Sequence, residues 1–157
     1  MIKYWGISRS SQITANLITK RKKDRVMLID KKLMDELSSK ARKSPRLRTN
    51  FDLRNSENDQ SQRMLNVLEP GTIMAIHRHL DTNETICMIR GSVKESIYDE
   101  YGNVLESYIL KVGSDSPAMV IPAGVWHKLE CLESGSILLT VKDGKYSPLK
   151  KEDILTK

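Results

Sequence analysis

Cysteine is nearly absent from this 157-residue chain: Cys87 and Cys131 are the only two, and both sit in apolar, strand-like runs. Thiols so placed are expected to be buried and reduced, which excludes a disulfide-stapled secreted domain and suits a cytoplasmic protein. No run approaches the roughly 18 apolar residues of a membrane span. The N-terminus lacks the continuous apolar segment and small-residue cleavage site of a secretory signal. A nucleophile elbow, a phosphate-binding glycine loop and a dinucleotide fingerprint are also missing. Excess charge is missing from most of the chain as well. The net charge of +6 arises in residues 1–27, which hold seven basic side chains and one acid, whereas nineteen of each sign follow from Leu28 onward. A broad basic face for nucleic acid is therefore not indicated, and the run Lys20-Arg-Lys-Lys reads as solvated, with phosphate or acidic lipid as the alternative.

What is present reads as one mainly β domain. At this length a chain buries about 70% of its unfolded surface, enough for a single core without disulfides. Residues 1–27 form a basic N-terminal extension. Residues 28–61 hold a helix and a strand leading into the β-rich part. Ile29–Lys43 has Leu33, Met34, Leu37 and Ala41 on one helical stripe, with Asp30 as N-cap and Ser44-Pro45 as the stop. Arg46 to Leu53 alternates with a period of two, which puts Arg46, Arg48 and Asn50 on one face and Leu47, Thr49, Phe51 and Leu53 on the other. Residues 62–146 are strand after strand, with Thr72–His79 expected as one of them, and Gly and Pro punctuation argues a sandwich or barrel. Residues 147–157 are a tail in which Ser147 and Pro148 open a short closing helix.

Histidine is scarce as well, with three residues, and its placement is informative. His77 and His79 stand two apart, so strand alternation sends both imidazoles to one face and Arg78 to the other. Glu84 follows after Leu80-Asp-Thr-Asn, and His127 closes Pro122-Ala-Gly-Val-Trp-His. Imidazole and carboxylate ligands on a rigid β scaffold suit one divalent transition metal: iron, manganese, zinc or nickel. The plain alternative for Glu84 is a surface carboxylate beside a turn. Met88 shares parity with Glu84, and Cys131 with His127; both are expected to line the interior. Trp126 points away from His127 and is expected to pack.

The segment Gly71-(five residues)-His77-Arg-His79-(four residues)-Glu84-(six residues)-Gly91 resembles the first cupin motif. Pro122-x-Gly124-x-x-His127 resembles the second, although Cys131 stands where many cupins carry asparagine. The resemblance implies a double-stranded β-helix, or jelly-roll barrel, with the metal held inside by His77, His79, Glu84 and His127, and homodimers through edge strands. Ile29-Asp-Lys-Lys-Leu-Met-Asp-Glu-Leu, Ser44-Pro-Arg-Leu-Arg-Thr-Asn50, Leu65-Asn-Val-Leu-Glu-Pro-Gly71 and Ile121-Pro-Ala-Gly-Val-Trp-His127 are further similar to the WbuC family of cupin metalloproteins. That family occurs among bacterial genes for O-antigen and related surface polysaccharides, which implies a sugar-like small-molecule ligand.

Four ligands leave two positions free on an octahedral ion, enough for water plus substrate. Arg46, Arg48 and Asn50 match a sugar carboxylate or a nucleotide-sugar diphosphate, or else form an ordinary solvent-facing edge. The expected function is a metal-dependent enzyme, of isomerase or epimerase or of oxygenase type, acting on a sugar intermediate of surface-polysaccharide synthesis. A non-catalytic sugar- or metabolite-binding cupin is the alternative, favoured by the lack of a further histidine to act as base. A purely structural metal is disfavoured by the open positions.

Overall fold

A computed structural model describes residues 26–155. The chain divides into two compact units, Met1–Asp30 and Lys31–Lys157. Residues 26–30 of the first form no regular element, and residues 1–25 of the basic extension lie outside the described part.

The second unit opens with helix α1 (Lys31–Lys43) and continues through ten strands: β1 (Arg48–Asp52), β2 (Ser61–Leu68), β3 (Ile76–His77), β4 (Glu84–Arg90), β5 (Ser92–Tyr98), β6 (Val104–Lys111), β7 (Ala118–Ile121), β8 (Trp126–Cys131), β9 (Ser136–Asp143) and β10 (Ile154–Leu155). They form two five-stranded antiparallel sheets, ordered β1-β2-β9-β4-β7 and β10-β3-β8-β5-β6. Period-two alternation assigns each strand one inward and one outward face. Leu68, Ile86, Met88, Ile121 and Leu138 of the first sheet meet Val93, Leu110, Leu129 and Cys131 of the second in a shared core. On the outer face of the first sheet, Leu65, Val67 and Ile137 pack against Leu37 and Ala41 of α1. The amphipathic stripe read from the sequence is thus the buried face of the helix. Arg90 ties α1 to the end of β4, donating to Asp35 Oδ1 at 2.7 Å and to the Met34 carbonyl at 3.0 Å. The mainly β jelly-roll expectation holds.

Four local expectations need correction. The helix begins at Lys31, two residues after Ile29. The strand expected from Arg46 begins at Arg48, because Leu47 adopts φ +52° in a turn closed by its N–H donating to the Ser44 carbonyl at 2.9 Å. The left-handed conformation breaks the alternation, so Arg46 is not on β1. The strand expected over Thr72–His79 shrinks to Ile76–His77. The closing helix is replaced by a single 3-10 turn, Lys151–Asp153, followed by β10, which pairs Ile154 with His77 and Leu155 with Ile76. Ile154 and Leu155 find an open edge there, and sheet pairing outcompetes a helix too short to stabilise itself.

Gly91 separates β4 from β5 with φ +74°, and a Cβ there would lie 2.4 Å from Ser136 Oγ and 3.0 Å from Ser136 Cα. Both the dihedral and the packing therefore require glycine. Gly91→Ala is expected to destabilise the protein by on the order of 2 kcal/mol or more, read as a lowered urea midpoint. An unchanged midpoint would refute the steric argument.

Candidate metal centre

His77 and His127 face one another across the β3–β8 pair, with ring centroids 4.3 Å apart. His79 lies just beyond β3, its ring centroid 5.2 Å from that of His77 and 5.6 Å from that of His127. The shared face expected from strand alternation is reached although β3 stops at His77. Glu84 opens β4 in the opposite sheet and reaches across. Its Oε2 lies 3.1 Å from His127 Nε2 and 3.3 Å from His79 Nε2. One donor atom from each of the four residues falls within 4.8 Å of the others.

This geometry fits a transition-metal ion. Donors about 2.1 Å from an ion lie roughly 3 Å apart when adjacent and about 4.2 Å apart when opposite. The backbone aims the rings: His77 Nδ1 faces the Ala75 carbonyl at 3.2 Å and His127 Nδ1 the Val125 carbonyl at 3.0 Å. Donating Nδ1–H to these carbonyls leaves Nε2 free as the ligand atom, the usual support for a metal-binding histidine. The two motif loops are also stitched together. Gly124 N–H donates to the His79 carbonyl at 2.8 Å, and Ala123 N–H to Asn83 Oδ1 at 2.9 Å. Arg78, pointing away as expected, donates Nε–H to Asp153 Oδ1 at 3.0 Å and lies over the Trp126 ring at 4.4 Å. The residue between the two histidines is thereby clamped from outside.

Protonation follows from burial and pairing. Burial, reinforced by the charge of His127, pushes the His77 pKa down to about 4, so its imidazole is neutral at pH 7. Burial by itself would raise Glu84, but hydrogen bonds from His127 and His79 and the charge of Lys142 hold it well below the usual carboxylate range. Burial by itself would lower His127, but the Glu84 carboxylate outweighs it and raises that imidazole. A neutral imidazole and an ionised carboxylate are the forms that bind metal.

The centre opens into a cavity of about 750 Å³, whose wall includes Arg46, Arg48, Asn50, Asn66, Thr140 and Lys142. All three polar residues singled out in the β1 region therefore reach the same space as the histidines, even though Arg46 stands before the strand. Arg48 is fixed by donating to the Ile73 carbonyl at 3.3 Å. Met88 and Cys131 take the expected lining role in the core, and burial raises the Cys131 thiol pKa, which leaves it a poor nucleophile.

Two residues escaped the sequence reading. Lys142 Nζ lies 3.1 Å from His79 Nε2 and 3.4 Å from Glu84 Oε1. It shares parity with Leu138 and Thr140, so extending the β9 alternation by one step would have found it. Glu95 is fully buried on β5 and lines the cavity too. Burial chiefly, and the charge of Glu84, push its pKa up to about 8 against the pull of His127. Its signal was a carboxylate at the parity of Val93 and Ile97.

The comparisons agree with this fold. The fold matches KdgF from Halomonas sp. with a TM-score of 0.52 at 16% identity, over 66% of this chain and 84% of that one. It also matches oxalate decarboxylase of Bacillus subtilis, in a structure described for its Mn(II) centers, with a TM-score of 0.50 at 25% identity, over 64% of this chain and 26% of that one. By sequence, oxalate decarboxylase OxdC of Bacillus subtilis (strain 168) is 37% identical over 81 residues, which is 51% of this chain but only 20% of that protein. The chain thus spans a small part of the decarboxylase. The protein is a cupin whose barrel carries a His/Glu cluster that could hold a metal ion. Within that class it belongs to the family described as a domain of unknown function (DUF6016), which matches residues 29–110. Among the described residues, no helix is long and apolar enough to cross a membrane.

Stability should report the two raised groups. Unfolded, Glu95 titrates near 4.5 and His127 near 6.5; folded, both hold their protons to higher pH. The native state then binds more protons than the unfolded state, so the metal-free protein loses stability as pH rises from 6.5 to 8. His77 and Glu84 are shifted downward and act only below that window. Urea midpoints at both ends of the window measure the loss, and Glu95→Gln, which does not titrate, makes it shallower. A native profile that is flat or rises across the window would contradict these assignments.

Proposed function

We propose that this protein is a divalent-metal-dependent enzyme that isomerises or epimerises a small, oxygen-rich anion, a sugar intermediate of bacterial surface-polysaccharide synthesis. The observation that carries the reading is the convergence of His77, His79, Glu84 and His127 at a cavity whose wall also holds Arg46, Arg48 and Lys142. Those four residues would hold the ion, and manganese is the first candidate because the oxalate decarboxylase structure is described for Mn(II) centers. An ion held there supplies Lewis acidity toward a carbonyl or hydroxyl oxygen of the substrate. Arg46 and Arg48 offer forked donors for a carboxylate or diphosphate, and Asn50 adds an amide that can both donate and accept. Lys142 stands close enough to the cluster to exchange a proton with a group bound beside it. Leu68, Leu129 and Leu138 line the same cavity and limit water around the reacting atoms.

The polysaccharide context draws on the WbuC resemblance. The anionic character draws on the cationic wall, and the oxalate decarboxylase match supports it. Oxygen-dependent oxidation is the competing chemistry for the same donors and separates by its requirement for dioxygen.

Metal analysis of the purified protein is expected to find one divalent ion per chain. His77→Ala should weaken its binding by more than the roughly 10–100-fold typical of losing an outer partner. The metal-loaded protein is then screened with nucleotide sugars and sugar acids under anaerobic conditions. Turnover that His77→Ala abolishes supports the enzyme. Stabilisation by a sugar with no product formed would replace it with a metabolite-binding module, and product formed only with dioxygen would replace the isomerase with an oxygenase.

A further inference from the structure

Glu95 is unlike its neighbours on β5. Ser92 Oγ donates to Glu133 Oε1 at 2.9 Å, Lys94 Nζ pairs with Glu130 Oε2 at 2.9 Å, and Ser96 Oγ meets Ser107 Oγ at 2.8 Å. Glu95 is 0% exposed, and neither of its carboxyl oxygens has a hydrogen-bond partner in the protein. The register places it opposite Leu129 on β8 and Tyr108 on β6, on the face that carries Val93 into the core. Leaving such a group unsatisfied costs about 1–3 kcal/mol, and an apolar residue of similar size would avoid that cost. Local folding thus gives no reason for a carboxyl group here.

Its surroundings give one. Glu95 lines the cavity shared by the four-residue cluster and the cationic wall, yet it is outside the donor set that closes within 4.8 Å. Its side chain thus borders the cavity, with both carboxyl oxygens shielded, and does not belong to the clustered donors. Burial favours the neutral acid, which offers one O–H donor and one carbonyl acceptor side by side.

We propose that Glu95 is a second functional carboxyl group of this site, one that hydrogen-bonds an oxygen atom of the small molecule bound in the cavity and does not ligate the metal. The chemical class it selects is a ligand with a hydroxyl or carboxyl oxygen directed away from the metal, such as a hydroxy acid or a sugar acid. A mere hydrocarbon face on that side would leave Glu95 still unpaired. This rests on the reading of the cavity as a small-molecule site.

The test uses the full-length, Mn(II)-loaded protein, with oxalate and D-glucuronate as probes and the Mn(II) EPR signal and thermal unfolding as readouts. Native protein is expected to bind at least one probe. Glu95→Leu should keep Mn(II) affinity within about twofold and melt no lower than native, while affinity for that probe falls about tenfold, close to 1.4 kcal/mol. Glu95→Gln, which keeps a donor and an acceptor, should stay within about threefold of native. Equal probe binding by Glu95→Leu and native protein overturns the inference and leaves the cavity reading intact. A Glu95→Leu chain that loses Mn(II), melts lower or fails to fold also overturns it, because the carboxyl group then serves the metal or the barrel. If native protein binds neither probe, the small-molecule reading fails for these anions, and the assignment of Glu95 falls with it.

Discussion

The pairing of β3 with β8 is the contact on which the centre depends. It sets His77 directly opposite His127, joining two motifs that are fifty residues apart in the chain. That ladder is short: β3 has two residues, and its other edge is covered by a two-residue strand from the C-terminus. Such a small strand cannot hold register by itself. Register is secured instead by side contacts, with Arg78 clamped between Asp153 and Trp126 and the 122–125 loop bonded to His79 and Asn83. The tail is therefore part of the site's support.

Electrostatics explains why the rest of the barrel is built around this point. A buried carboxylate and three imidazoles are costly to desolvate without a partner. Glu84 offsets that cost by accepting from His127 and His79 and by lying near Lys142. The same contacts keep it ionised, and burial keeps His77 neutral, so these two donors are held in metal-binding form, whereas His127, raised by Glu84, gives up its Nε2 proton when an ion binds. Glu95 follows the opposite logic: a carboxyl group in the same cavity, without partners, is driven toward its neutral form. Two glutamates in one cavity thus carry opposite charge preferences, a division that acid–base sites use.

The two faces of the first sheet divide the structural and chemical tasks. Outward-facing Leu65, Val67 and Ile137 bury the α1 stripe, while Asn66, Leu138, Thr140 and Lys142 on the same strands look into the cavity. Asn66 Nδ2 donates to Thr140 Oγ1 at 2.8 Å, so even the polar part of that wall is ordered. Helix α1 stiffens the sheet from behind without entering the site.

Local spacing was enough to identify the β class, the helix stripe, the glycine turns and the shared face of His77 and His79, because period-two and period-3.6 patterns are properties of neighbouring residues; the resemblance to the cupin motifs added Glu84 and His127. His77, His79 and Glu84 belong to one continuous motif, and only His127 had to be brought in from afar. The end of β1, the brevity of β3 and the pairing of the tail were not legible. The last two depend on which backbone edge is open after the sheets assemble, which no local window contains, and β1 is cut short by the left-handed turn at Leu47. Glu95 and Lys142 looked like ordinary strand charges in sequence. Their meaning came only from tertiary structure, which decided that one would be sealed in the cavity without a partner and the other set against His79 and Glu84, because burial and distance are fixed by packing between strands remote in the chain.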